Sequence, residues 1–123
     1  MEIREIIERV DRLKPNMIDE EQKIRWLSEV DGQVWHEIIT QHEGAPMEEF
    51  TGYTDTTPPQ TKLLVPFPYD NLYIHYLSAQ IDLYNQELGK YNNDSQLYNT
   101  ALKNYSDWYT AHHMPLGRKH WRV

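Results

Sequence analysis

Ile3, Ile6, Ile7, Val10 and Leu13 fall at i, i+3, i+4, i+7 and i+10, with Glu2, Arg4, Glu5, Glu8, Arg9, Asp11 and Arg12 between them. That is the period of an amphipathic helix and predicts one over residues 2–13. Lys14-Pro15-Asn16 ends it, because Pro15 lacks an amide donor and disfavours helical geometry at Lys14. Asp19, followed by Glu20, Glu21 and Gln22, reads as an N-cap with acids in the first turn. A second helix is expected over 20–42, with an apolar face of Ile24, Leu27, Val30 or Asp31, Val34, Trp35, Ile38 and Ile39. Gly32 interrupts that pattern at a cost of about 1 kcal/mol relative to Ala and predicts a kink or a close helix crossing.

From Gly44 to Pro68 the periodicity stops, and five prolines and five threonines fill the stretch. This is a long loop, with a short extended piece expected over 62–65, and loops of this length in a small domain usually have a use of their own. Pro68 and Asp70 open a third helix, predicted over 69–90, with Leu72, Tyr76, Ala79 and Leu83 on one stripe and Ile74, Leu77, Ile81, Tyr84 and Leu88 widening it. Asn92-Asn93-Asp94 reads as a turn with a new N-cap, which places a fourth helix over 95–112. Met114-Pro115-Leu116-Gly117 stops that helix. The expected fold is all-α: one helical domain over 1–114, four-helix bundle-like, with a long 44–68 loop and a flexible, extended C-terminal tail over 115–123. Trp26 or Trp35, Leu27, Ile38, Leu77, Ile81 and Leu102 are its expected core.

Charge adds an asymmetry to this picture. The 123 residues carry 19 acids and 12 Lys or Arg, net −7, yet Arg118, Lys119 and Arg122 lie beyond residue 111, where no acid occurs. An acidic body repels phosphate backbones, so general nucleic-acid binding is not expected, and in the first half acids alternate with Arg4, Arg9, Arg12, Lys23 and Arg25 and cancel their field. With no cysteine, disulfides, thiolate metal sites and cysteine nucleophiles are excluded. The charged start Met1-Glu2-Ile3-Arg4-Glu5 does not resemble a signal peptide and no apolar run reaches the length of a membrane span, so a soluble protein is expected, with no membrane partner.

Catalysis finds no anchor: there is no Gly-rich phosphate loop, no Gly-x-Ser-x-Gly elbow and no His-Glu-x-x-His. None of His36, His42, His75, His112, His113 and His120 lies three or four residues from another on a predicted helix, the spacing that sets two metal ligands on one face. His42-Glu43 and His112-His113 offer single ligands only. The acids of Asp19-Glu20-Glu21 and Glu48-Glu49 sit at a helix start and in a loop, where they are solvated and not tuned as general acids. The expected protein is no enzyme, with no cofactor and no metal.

What remains is interaction. Nine tyrosines and four tryptophans against two phenylalanines give many rings with a polar edge, which suit wet protein–protein surfaces. In the loop, Phe50, Tyr53, Leu63, Leu64 and Phe67 are candidates for contact with another subunit or component. In the tail, Arg118, Lys119, His120, Trp121, Arg122 and Val123 combine positive charge with one aromatic anchor, the residue types that most often dominate interface energy.

Particular runs also carry a resemblance. Ile3-x-x-Ile6-Ile7-x-x-Val10-x-x-Leu13-Lys14-Pro15-Asn16, Lys23-Ile24-Arg25-Trp26-Leu27 and Asp31-Gly32-Gln33-Val34 are similar to the opening of small proteins from the capsid region of Firmicutes phages and prophages. So is Tyr69-Asp70-x-Leu72-Tyr73-x-x-Tyr76-Leu77-x-Ala79-Gln80-Ile81-Asp82-x-Tyr84-Asn85, followed by Tyr91-Asn92-Asn93-Asp94, Trp108-Tyr109 and His113-Met114-Pro115. Those proteins resemble the helical head-tail connectors, also called adaptor or head-completion proteins, of long-tailed phages. The resemblance implies a virion protein made in the bacterial host cytoplasm. It implies a homo-oligomeric ring, usually a dodecamer, seated on the portal protein and receiving a downstream tail or stopper protein; the basic tail over 118–123, by its own charge and aromatic anchor, is the expected portal-binding segment. DNA passes through such a ring without sequence-specific binding. The competing expectation is a small acidic phage regulatory protein that binds a host protein.

Overall fold

The computed structural model describes residues 1–116, and these are all-helical, with no strand among them. Helices α1 (Ile3–Leu13), α2 (Glu20–Glu37), α3 (Asn71–Tyr84) and α4 (Leu88–His112) alternate in direction. The Lys14–Asp82 ion pair and the Met1–Asp70 contact set α1 beside α3 in the same sense. Lys23–Asp11 and Asp31–Tyr73 set α2 against both, and the α3–α4 corner turns α4 back. Helix α3 touches all three others and packs most extensively on α4. Ile6, Val10, Leu27, Val34, Leu72, Tyr73 and Leu77 are fully buried where the helices meet, and the expected core residues Trp26, Trp35, Ile38 and Ile81 join them. Leu102 is only half-buried.

The helix boundaries differ from the sequence expectation at three places, each for a local reason. Helix α2 ends at Glu37 instead of residue 42; a 3₁₀ turn over Ile39–Gln41 follows, and Thr40 Oγ1 and Gln41 Nε2 both donate to the His36 carbonyl. The third helix stops at Tyr84 instead of residue 90, and the fourth starts at Leu88 instead of 95, so Asn92-Asn93-Asp94 is not a turn but lies inside α4. The break is a Schellman motif: the Glu87 amide donates to the Asp82 carbonyl and the Gln86 amide to the Leu83 carbonyl, with Gln86 left-handed at φ 60°. That position is usually glycine. Gly32 neither breaks α2 nor marks a close crossing, since a Cβ there would have nothing within 4 Å.

The turn between α1 and α2 follows its sequence logic. Asn16 accepts the Ile18 amide on its side-chain oxygen and donates from Nδ2 to the Lys14 carbonyl and to Asp11, while the buried Lys23 ammonium also reaches Asp11 at 2.7 Å.

Candidate interaction surfaces

The 44–68 segment is a strap laid on the body. It climbs along α2 until the Tyr53 amide donates to Ser28 Oγ, then returns to α1, where Ile3 and Arg4 donate to the carbonyls of Thr61 and Pro59. The expected extended piece is reduced to a single antiparallel bridge between Glu2 and Lys62. Gly52 allows the approach to α2. Its φ is +96°, and a Cβ there would lie 2.6 Å from Ser28 Oγ.

One buried acid holds the strap. Asp31, fully buried on α2, accepts the hydroxyls of Tyr53 and Tyr73, each at 2.5 Å, and the Leu64 amide at 3.0 Å. The Tyr73 hydroxyl in turn accepts the Val65 amide. Burial pushes the Asp31 carboxyl above its ordinary 3.8, against the opposing pull of these donors. Burial first, then the adjacent carboxylate, keeps both tyrosine hydroxyls protonated far above 10.0. Sequence reasoning left Asp31 as one of two options for a core-facing position and gave it no partner. An acid inside an apolar stripe was the available signal.

These contacts place the five loop candidates. Leu63 is buried in the chain's own core, Leu64 and Phe50 pack against that core half-buried, and Tyr53 spends its hydroxyl on Asp31. Phe67 alone stands out, 84% exposed, beside a hollow of about 330 Å³ bordered by Glu5, Arg9 and Asn71. Of the expected free tail, Pro115 and Leu116 are tied down: His42 and Pro115 form an antiparallel bridge, Glu43 donates to the Met114 carbonyl and Leu116 to the Gln41 carbonyl. Arg118, Lys119, His120, Trp121, Arg122 and Val123 lie outside the described residues.

At the opposite end, α1, α3 and α4 meet around a second buried acid. Lys14 Nζ donates to Asp82 Oδ1 at 2.8 Å and pairs with Asp94 at 3.2 Å. Asp82 is buried and its Oδ2 has no hydrogen-bond partner among the described residues. Burial and the neighbouring Asp94 raise the Asp82 pKa in spite of Lys14, while the two acids raise that of Lys14 in spite of its burial. Near this triad large apolar side chains stand exposed among the polar Asn85, Glu87 and Lys90: Leu13, Tyr84 and Leu88 are each more than 60% exposed, and Leu83 adds to them.

His42, His112 and His113 serve the ends of helices. His42 is buried, with Nδ1 2.6 Å from the Ile38 carbonyl and Nε2 3.1 Å from Thr110 Oγ1. His112 and His113 each place Nδ1 within 3.0 Å of a carbonyl one turn back, and His113 stacks on Tyr109. Among the described residues no three His, Asp or Glu side chains come together as a metal site, and no helix is long and apolar enough to cross a membrane. Most of the abundant tyrosine is used internally, as in the Tyr76–Tyr98 and Tyr69–Tyr105 contacts between α4 and the elements it covers. Comparison with protein-family models, with characterised proteins and with solved structures finds no match for this chain.

Proposed function

We propose that this chain is a structural assembly protein of a phage particle, a head-tail connector that forms a ring on the portal and joins the head to the tail. The observation that carries the reading is the bundle end formed by Leu13, Leu83, Tyr84 and Leu88, where large apolar side chains stand in solvent around a rigid, salt-bridged corner. A cluster of large exposed apolar side chains suits a protein-binding face, and an all-helical body presents it at little ordering cost on assembly. The sequence resemblance supplies the partners, and the acidic balance suits a channel wall that DNA must slide past without sticking.

The test is light scattering of the purified chain alone and mixed with a phage portal protein. A stoichiometric complex of ring mass supports the connector. A monomer that ignores portal, and is instead retained by one host protein, favours the regulatory reading.

A further inference from the structure

Lys14 Nζ lies 2.8 Å from Asp82 Oδ1 and 3.2 Å from Asp94 Oδ2, so one ammonium at the end of α1 faces carboxyls from both α3 and α4. We propose that Asp82 and Asp94 hold one proton between them beside Lys14, and that this shared proton is a clasp on the α3–α4 corner that loosens as pH rises. The inference does not rest on the connector reading.

Three observations lead to it. The first is an unused acceptor. Asp82 is buried, and its Oδ2 is shut off from solvent with no hydrogen-bond partner among the described residues. An orphaned buried oxygen is costly, and a proton held by the carboxyl pair supplies the hydrogen bond that water cannot reach to make. The second is charge. Two carboxylates on one ammonium leave a surplus negative charge in a corner where none of the three side chains is more than 25% exposed, and like charges sharing a site favour a proton on one of them. The third is position. Asp82 lies in the last turn of α3, where the negative end of the helix dipole opposes its ionisation. Burial and then Asp94 raise the Asp82 pKa against the pull of Lys14, in keeping with this geometry. The other charges nearby have their own balance: Glu87 and Lys90, which border the same hollow as Asp82, pair with each other at 2.8 Å. His75, also on α3, feels the charge of Asp94, yet burial keeps its pKa below 6.5.

The clasp acts on the corner because the Glu87 amide donates to the Asp82 carbonyl and the Asn85 amide to that of Ile81. With the proton in place a carboxyl–carboxylate hydrogen bond joins α3 to α4; without it two carboxylates face each other. The folded chain binds this proton more tightly than the unfolded chain does, so the stabilisation is complete below 3.8 and is lost as pH rises through the raised value.

The test is an NMR titration of the Asp82 and Asp94 carboxyl carbons in the full, isotope-labelled chain. Both carbons should move through one common step above the ordinary carboxylate range, because interacting groups titrate as a pair. Separate curves, each at or below that range, overturn the proposal. In Asp94→Asn the Asp82 step should fall; a step that stays where it was assigns the raised value to burial alone and overturns the shared proton. Amide exchange reads the clasp itself. Protection of Asn85, Gln86 and Glu87, corrected for the intrinsic pH dependence of exchange, should drop as pH rises through the common step, and Asp82→Asn should abolish that drop. Protection that ignores the step, or a drop that persists in Asp82→Asn, overturns the clasp.

Discussion

Asp31 is the residue on which the long strap depends, and its chemistry makes two expectations. Asp31→Ala orphans the Tyr73 hydroxyl and the Leu64 amide in the interior, at about 1–3 kcal/mol for each buried group left unpaired. Urea unfolding should show that loss, and a change below that of an ordinary surface substitution would refute the strap's dependence on it. The second concerns pH. Because the folded-state pKa of Asp31 lies above its ordinary 3.8, the folded chain binds this proton more tightly than the unfolded chain does. In the window from 3.8 up to the raised value, unfolding releases the proton, so this group's contribution to stability falls as pH rises. Asp31→Asn has no such proton. The stability of the unaltered chain minus that of Asp31→Asn should therefore decrease between acid and neutral pH, and a difference that stays constant would remove the assignment. Gly52 depends on the same anchor: with φ +96° and Ser28 Oγ 2.6 Å from a Cβ, Gly52→Ala should cost about 1–2 kcal/mol from the left-handed backbone alone.

At the scale of elements, the corner between α3 and α4 explains what the sequence made legible and what it hid. The periodic runs Ile3 to Leu13 and Ile24 to Ile38 were readable because each buries one stripe, and Lys14-Pro15-Asn16 was readable because proline and an Asx side chain enforce a turn by local chemistry. The α3–α4 break was not, because the left-handed position is held by Gln86 while Asn92-Asn93-Asp94 supplies a stronger turn signal that the structure overrides. Tyr98, Tyr105 and Tyr109 of α4 are buried in contact with the rest of the bundle, which favours one continuous helix through that signal. Gln86 is thus a strained residue in a well-formed Schellman motif. Gln86→Gly should raise stability by up to about 1 kcal/mol by removing the Cβ conflict, visible as a higher thermal midpoint. A lower midpoint would mean that Gln86 has a stabilising contact that outweighs its backbone strain. Leu77 is fully buried on α3, and Leu77→Ala should cost ~2–5 kcal/mol of stability.

For the whole molecule, the same physics separates what holds the body together from what is left for partners. The loop read from sequence as a free contact element offers little: its backbone amides and Tyr53 are consumed by Ser28 and Asp31, contacts between residues 22 to 33 positions apart that no local pattern encodes. Besides single exposed side chains such as Met47 and Phe67, a group is left over at the far end, where Leu13, Tyr84 and Leu88 are exposed although α1, α3 and α4 are locked beneath them by Lys14, Asp82 and Asp94. Substitutions there should separate folding from assembly. Tyr84→Glu together with Leu88→Glu alters two side chains that are 67% and 62% exposed, so unfolding should shift by no more than about 0.5 kcal/mol for each. Lys14→Met, by contrast, leaves Asp82 buried without its cation and should cost on the order of 3 kcal/mol, with Asp82→Asn recovering part of the loss. If the chain assembles with portal as proposed and this end is the assembly face, light scattering should find the unaltered chain in a ring-sized complex with portal and the double glutamate variant folded and monomeric under the same conditions. Retained assembly in that variant would move the interface to the Phe67 end, where Phe67→Glu becomes the decisive change.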